Sequence, residues 1–585
     1  MPAVDRARAR SLEESRRALF SSLAPPPDFA VYAGADAMRR PGAGTRAPET
    51  PPVPPPLAVR VHTRAGFGPG PGDVEAFAAL GADDDARLVA WVDQQLAPGS
   101  IADADCDAKL AAAGFTTLNK SLAQLFADHH AADPPDWYDR IRPAIETELA
   151  TWIRTVHSKR QLFEVLADFW HNHFNVYGWE FIEAPVWAHY DRDVIRAHAL
   201  GNFRQMLEAV AKAPAMLVYL DNFTNFADGG AGYGNENFPR ELIELHGMGA
   251  EASYGAIPRD QVPGWPNPVG YCQEDVEDMA RALSGWTFDI DWVSWLWDDG
   301  GNSGLFVHAD QHPGGAGLHN TEAKILFGTA LPAGRTSSVD GAQALDLLAQ
   351  HPATGRNVAK KLCRRLIGDF PPAAIVDSAA ALFTAQWQAP DQLRQVVRHI
   401  LLSTEFRSTW GEKIKRPLEI AASALRAAGS AFPFSMAAAF EDDNNAFHWL
   451  YEAGGQALFG WHPPNGHPDI RGAWQSANPR VALWRLVDWL IEPDGAGADR
   501  YLDIVASTLA TPARSATEIV DLWIDRVFHR TLPAADRQEL IELMAQGHNP
   551  TLALPLATND WPEYTQDRLR ALVGVMFMSP EFLWR

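Results

Sequence analysis

Three stretches of the chain concentrate side chains able to do acid–base or metal chemistry. The first reads Glu164-Val-Leu-Ala-Asp168-Phe-Trp-His171-Asn-His173-Phe-Asn. On an α-helix, positions 164, 168 and 171 fall at i, i+4 and i+7, so Glu, Asp and His share one face of an apolar, aromatic segment. His171 and His173 are two apart, so one helix cannot aim both at a single ion. A helix ending near 172 would let the backbone turn bring them together. One expectation for this face is metal ligation or acid–base catalysis; the other is buried histidines hydrogen-bonded to carboxylates.

The second stretch reads Asn235-Glu-Asn237-Phe-Pro-Arg240-Glu241-Leu-Ile-Glu244-Leu-His246-Gly. Pro239 suits a first helical turn capped by Asn237, and Gly247 or Gly249 suits its stop. Glu241 and Glu244 then share a face. Their order is Glu-x-x-Glu, so the Glu-x-x-His of di-metal bundles is absent. A polar site and an ion-pair network closed through Arg240 are equal readings. The third stretch joins His308-Ala-Asp310-Gln-His312 to His319-Asn-Thr-Glu322-Ala-Lys324. It lies in and just after a long Gly/Asp/Trp/His-rich segment, 287–320, where binding competes with an inert surface loop.

Familiar nucleophile and phosphate motifs are missing. There is no Gly-x-Ser-x-Gly, no His-Glu-x-x-His, and no Gly-Lys-Ser/Thr after the glycine-rich 227–235. Cys363, within Lys-Lys-Leu-Cys-Arg-Arg-Leu, reads as a core thiol between cations that face water.

The elements that position these residues are helical. Apolar residues recur at three and four over 84–96, 141–156 and 203–220, and Asp136 and Ser403 are start signals. Strand-like alternation is confined to 286–290. The sequence predicts an all-α fold, a large multi-helix array with long irregular loops and a smaller C-terminal helical subdomain. The expected divisions are a Pro/Ala/Gly-rich extension over 1–56, a main helical domain over 57–430 carrying the site, and a subdomain over 431–585. Leu393 to Phe406 also echoes Leu569 to Phe582, both ending Ser-x-Glu-Phe.

The chain has 585 residues and a formal charge of −23, which disfavours nucleic acid as a partner. Its three cysteines include no Cys-x-x-Cys, so a four-thiolate zinc site is excluded. The 21 tryptophans serve large cores or aromatic sugar pockets. No run approaches the roughly 18 apolar residues of a membrane span. The N-terminal residues lack an apolar signal core, so the chain reads as cytoplasmic as written.

A wider ordered set of motifs runs Arg64-Ala-Gly-Phe-Gly-Pro69, Phe169-Trp-His-Asn-His-Phe174, Leu200-Gly-Asn-Phe203, Pro214-Ala-Met-Leu217 and Leu220-Asp-Asn222. It continues through Asn235 to His246, Ala280-Arg-Ala-Leu-Ser-Gly-Trp286, His351-Pro-Ala-Thr354, Lys361-Leu-Cys-Arg-Arg365, Lys415-Arg-Pro-Leu-Glu419 and Gly455-Gln-x-Leu-Phe459, and closes at Ser579-Pro-Glu-Phe582. Over about 60 to 585 this set resembles DUF1800, a family of large bacterial proteins of unknown function. The resemblance implies a mostly helical fold, export as the alternative location, and a DUF1501-type protein as a partner. It also implies a His-Asp-x-Gly-x-Lys motif; here His319-Asn-Thr-Glu-Ala-Lys324 departs at two positions.

The leading expectation is a polar pocket of Glu164, His171, His173, Asn237, Glu241, Glu244 and His319. Its metal candidates are His171, His173, Glu241, His246, His312 and His319, for zinc, iron or manganese. Its catalytic candidates are Glu164, Glu241, Glu244 and Lys324. A metal-bound water with a glutamate base would hydrolyse, and open positions on a redox metal would bind oxygen. A metal-free alternative pairs Glu241 with Glu164 or Asp168 on a glycan, with the Trp461-His-Pro-Pro-Asn-Gly-His-Pro-Asp469 loop supplying aromatic surface. A third reading is a non-enzymatic binding or assembly partner.

Overall fold

A computed structural model describes residues 54–131, 136–294, 301–311, 317–430, 432–437, 442–560 and 564–585. Among the described residues, 57 % are helical and the strands form two short antiparallel pairs, so the fold is mostly α-helical. The helices used below are α1 (Leu57–Arg64), α2 (Trp137–His157), α3 (Gln161–His173), α4 (Phe203–Lys212), α5 (Pro214–Tyr219), α6 (Asn237–Glu241) and α7 (Gln273–Ala282). They continue with α8 (Ser337–Gln350), α9 (Pro352–Leu366), α10 (Gln392–Leu401), α11 (Pro417–Ala428), α12 (Asp442–Glu452) and α13 (Thr565–Met578). The strand pairs are β1 (Trp286–Phe288) with β2 (Phe306–His308), and β3 (Lys324–Leu326) with β4 (Thr329–Leu331).

Local chemistry sets the boundaries. The Asp136 side chain accepts from Tyr138 N at 3.3 Å and opens α2. The periodic run 203–220 is not one helix. Asn202 caps α4 through Gln205 N at 3.1 Å, and the run breaks before Pro214, which has no N–H to continue the ladder and instead begins α5. The second stretch starts one residue earlier than expected: Glu236, not Asn237, is the cap position, and Asn235 Oδ1 accepts from Asn237 N at 2.8 Å. After Glu241 the backbone widens into a π-turn over Leu242–Gly247.

The described residues from 54 to 585 fall in one compact unit, and those beyond 430 are folded into it. Of the expected extension, 1–53 lie outside the described residues. The core is aromatic. Trp152 of α2 is fully buried against Phe434, Phe447 and Tyr451, with ring centroids 5.7, 4.9 and 4.9 Å away. Trp286 closes on α8 only because position 341 is glycine: a Cβ there would lie 2.3 Å from the indole.

The two Ser-x-Glu-Phe echoes are real structural counterparts. α10 and α13 each lead into a serine, Ser403 and Ser579, that opens a short helix whose phenylalanine is buried. Both converge on α1. Arg64 Nη1 donates to Phe406 O at 2.8 Å, and Arg585, three residues beyond Phe582, donates to Arg64 O at 2.7 Å.

Candidate functional site

The face of α3 carries Glu164, Asp168 and His171 as its spacing requires, and every one is tied. Arg196 donates Nη1 and Nη2 to the two oxygens of Glu164 at 3.1 and 2.8 Å, and its Nε to Asp191 at 2.9 Å. His171 Nε2 lies 2.9 Å from Asp191 Oδ1. Asp168 accepts from Arg416 at 2.5 Å and from Arg365 at 3.2 Å. Those arginines extend a buried network: Arg365 and Arg585 reach Glu419 Oε1 at 2.5 and 2.6 Å, and Lys413 reaches Asp469 at 2.8 Å. Burial opposes the charge on Glu419, but Arg365, Arg585 and Arg416 override it and hold the carboxyl down to about 2. The space beside this face is about 40 Å³, far below the roughly 300–1,000 Å³ of ligand clefts.

The two histidines of α3 diverge, because the helix runs through His173 before Phe174 ends it. His173 Nε2 donates to His246 O at 3.1 Å, which leaves Nδ1 to accept from Lys361 Nζ at 3.3 Å. Both ring nitrogens are therefore occupied. His246 is fully buried with neither ring nitrogen hydrogen-bonded, and burial together with the Lys361 charge lowers it to about 3. The helices of the first two stretches thus meet as expected, but around a lysine ammonium that opposes a divalent cation. Among the described residues, no three of His171, His173, Glu241, His246 and His319 bring ligand atoms within 4.8 Å of one another.

The third stretch is a separate buried tie. His319 Nδ1 lies 2.9 Å from Ser284 O, and Nε2 lies 3.3 Å from Asp340 Oδ2. Lys324, 1 % exposed, donates to Asp340 at 2.7 Å and to the carbonyls of Asn320 and Glu322 at 2.7 and 3.0 Å. Its charge locks the β3 entry onto α8. The described part of 301–324 packs on 225–231 and 284–289 rather than over the α3–α6 junction: Leu318 O accepts from Ala227 N at 2.7 Å and Asp289 O from Gly304 N at 2.8 Å. His312 lies outside the described residues. Cys363 is fully buried, and burial pushes its thiol up to about 12.

A different set of carboxylates is left without cations. Arg240 turns away from Glu241 and binds Glu236 at 2.9 Å and Gln273 of α7 at 3.0 Å. Among the described residues, no Arg, Lys or His lies within 4 Å of the carboxylates of Glu241, Glu244 or Glu183. Glu241 and Glu244 are half-buried, while Glu183 is 4 % exposed. Burial, then the charge of Glu244, raises Glu241 to about 7. Burial raises Glu183 to about 7 as well. Tyr219, at the end of α5, feels both: burial and then the charges of Glu241 and Glu183 push its phenol upward. Tyr271 stands in the field of Glu244 and Glu241.

The 458–467 loop is moored beside them. Tyr219 Oη donates to His462 O, Tyr177 stacks on the His462 ring at 3.8 Å, and Asn175 Nδ2 donates to the carbonyls of Trp461 and Pro463, both at 2.9 Å. Asn172 pairs with the His467 backbone at 2.9 and 2.6 Å. Gly466 makes this docking feasible: its φ is +72°, and a Cβ would lie 2.1 Å from Asn172 O.

A family described as "Protein of unknown function (DUF1800)" matches residues 60–584. The chain belongs to that family. No curated protein and no solved structure matches it. Among the described residues no helix is long and apolar enough to cross a membrane. The family membership covers all of the clusters above, so geometry has to separate them. Glu183, Tyr219, Tyr271, Asp191 and Arg196 escaped the sequence reading, since none stands in a motif of chemical residues. Asn175 and Tyr177, a few positions beyond the histidines, were the available signal.

Proposed function

We propose that this DUF1800 protein is an acid–base enzyme that cleaves or transfers glycosidic bonds at the Glu241–Glu244 face. The observation that supports it most is the missing cation: Glu241 and Glu244 stand partly open and unpaired, with Arg240 beside them committed to Glu236 and Gln273. A structural carboxylate in this fold is clamped, and these are not. Glu241, holding its proton to about pH 7, is the general acid for the leaving oxygen. Glu244 supplies the negative charge that both raises Glu241 and faces the positive charge developing on the sugar ring. A solvent water or an acceptor hydroxyl forms the new bond to the anomeric carbon as the leaving oxygen takes the Glu241 proton. The Tyr177, Tyr219 and Trp461 rings offer apolar faces beside polar tips, which suits a polyhydroxylated substrate. Asp168 and Glu164, the partners first paired with Glu241, are replaced here by Glu244 because both are held by arginines.

The test is reducing-end release from a panel of polysaccharides and aryl glycosides. The parent is expected to act on at least one, with a rate that falls above about pH 7 as Glu241 loses its proton. Glu241→Gln should lose about 10²–10⁴-fold in kcat while unfolding no more easily than the parent. An inactive parent across the panel, or a Glu241→Gln variant of undiminished rate, would sink the reading.

A further inference from the structure

One ligand-like cluster lies apart from every candidate in the sequence. Glu148 projects from the middle of α2. His448 and Glu452, four residues apart, share one face of α12. One ligand atom from each of the three lies within 4.8 Å of the others. His448 Nδ1 stands 3.4 Å from Glu148 Oε1. Two ligands on a tetrahedral ion with bonds of about 2.0–2.1 Å are separated by roughly 3.4 Å, so this pair is already at coordination spacing.

A second observation comes from Glu148 itself. It is 4 % exposed, and its Oε1 accepts no hydrogen bond among the described residues. A buried carboxylate oxygen left unsatisfied is costly, and Asp168, Glu419 and Asp469 are each supplied with arginine or lysine. Here the oxygen points to an imidazole and a second carboxylate instead. Tyr451 Oη, fully buried and also without a hydrogen bond, sits in the field of Glu148 and Glu452. Below them the Trp152, Phe447 and Tyr451 rings form a rigid floor.

We infer that Glu148, His448 and Glu452 form a mononuclear site for a divalent transition-metal ion, joining α2 to α12. One imidazole nitrogen and two carboxylate oxygens suit zinc or manganese over calcium, which takes six to eight oxygens. His448 and Glu452 are half-buried, so a fourth position opens toward solvent. The ion would offset the charge that Glu148 brings into the interior. This site shares no residue with the Glu241–Glu244 face, so either proposal can fail alone.

The experiment is calorimetric titration of the chelator-stripped full chain with zinc chloride, alongside its manganese counterpart. The expected result is one site per chain with a Kd below about 1 µM for zinc. Glu148→Gln and His448→Ala should each weaken binding at least tenfold. Glu452→Gln, at a half-exposed position where misfolding is not at issue, should do the same, and Glu241→Gln should leave binding intact. Cobalt in place of zinc should give visible d–d bands that vanish in His448→Ala. No saturable binding in the parent, or unchanged binding in Glu452→Gln and His448→Ala, would overturn the site.

Discussion

Asp168, Glu419 and Asp469 lie among Arg365, Arg416, Lys413 and Arg585, whereas among the described residues Glu183, Glu241 and Glu244 meet no cation at ion-pair distance. Glu419 and Glu183 are both shielded from water, yet they are driven in opposite directions. In the first, the guanidinium charges overcome desolvation and hold Glu419 down to about 2. In the second, desolvation stands almost alone and carries Glu183 and Glu241 up to about 7. A carboxylate that serves the fold is matched; one kept ready to trade a proton is left unmatched, at a cost in stability.

The sharpest way to break this contrast is to remove the acid at the centre of the clamp. Glu419→Ala leaves Arg365, Arg416 and Arg585 facing one another in the interior. It should cost about 3–5 kcal/mol, seen as a lower urea midpoint. A loss under 1 kcal/mol would mean that the clamp is not a stabilising unit.

Next in size is the pH dependence, where the two regions differ in sign. Glu183 and Glu241 have folded values above the ordinary 4.5, so the folded state holds protons that the unfolded chain releases. Their contribution is fully present below about 4.5 and is lost as pH rises through about 7. Glu419 is the reverse: its contribution is present above 4.5 and lost as pH falls toward 2. Urea midpoints should therefore rise on going from pH 8 to pH 5 and drop again in stronger acid. A Glu183→Gln, Glu241→Gln double variant should flatten the slope between pH 5 and 8 while keeping the acid limb. An unchanged slope would show that these carboxylates are not the raised groups.

The smallest effect concerns the mooring of the loop. Tyr219→Phe removes the hydrogen bond to His462 O and should cost about 1 kcal/mol. Amide exchange over 458–467 should accelerate, with α2 and α3 unaffected. Equal exchange in both proteins would place the mooring on Asn172 and Asn175 alone.

Much of the architecture was legible because helices are local. The caps at Asp136 and Ser403 and the twin Ser-x-Glu-Phe turns follow from short-range pattern. So does the face shared by Glu164, Asp168 and His171. Its role was not legible, since Arg196 and Arg416 reach it from 32 and 248 residues away. Lys324 illustrates the same limit. Its motif singled it out as chemical, and its ammonium turns out to lock Asp340 and two carbonyls.

The sequence by itself determined that the chain is mostly helical, that strands would be marginal, which residues could titrate, and the family to which the chain belongs. Only the tertiary structure decided which carboxylates are matched by a cation and which are not. Helical periodicity is set by neighbours within four residues, but a charge is neutralised by whatever side chain arrives through space. That pairing decides whether a glutamate locks the fold or keeps a proton to give.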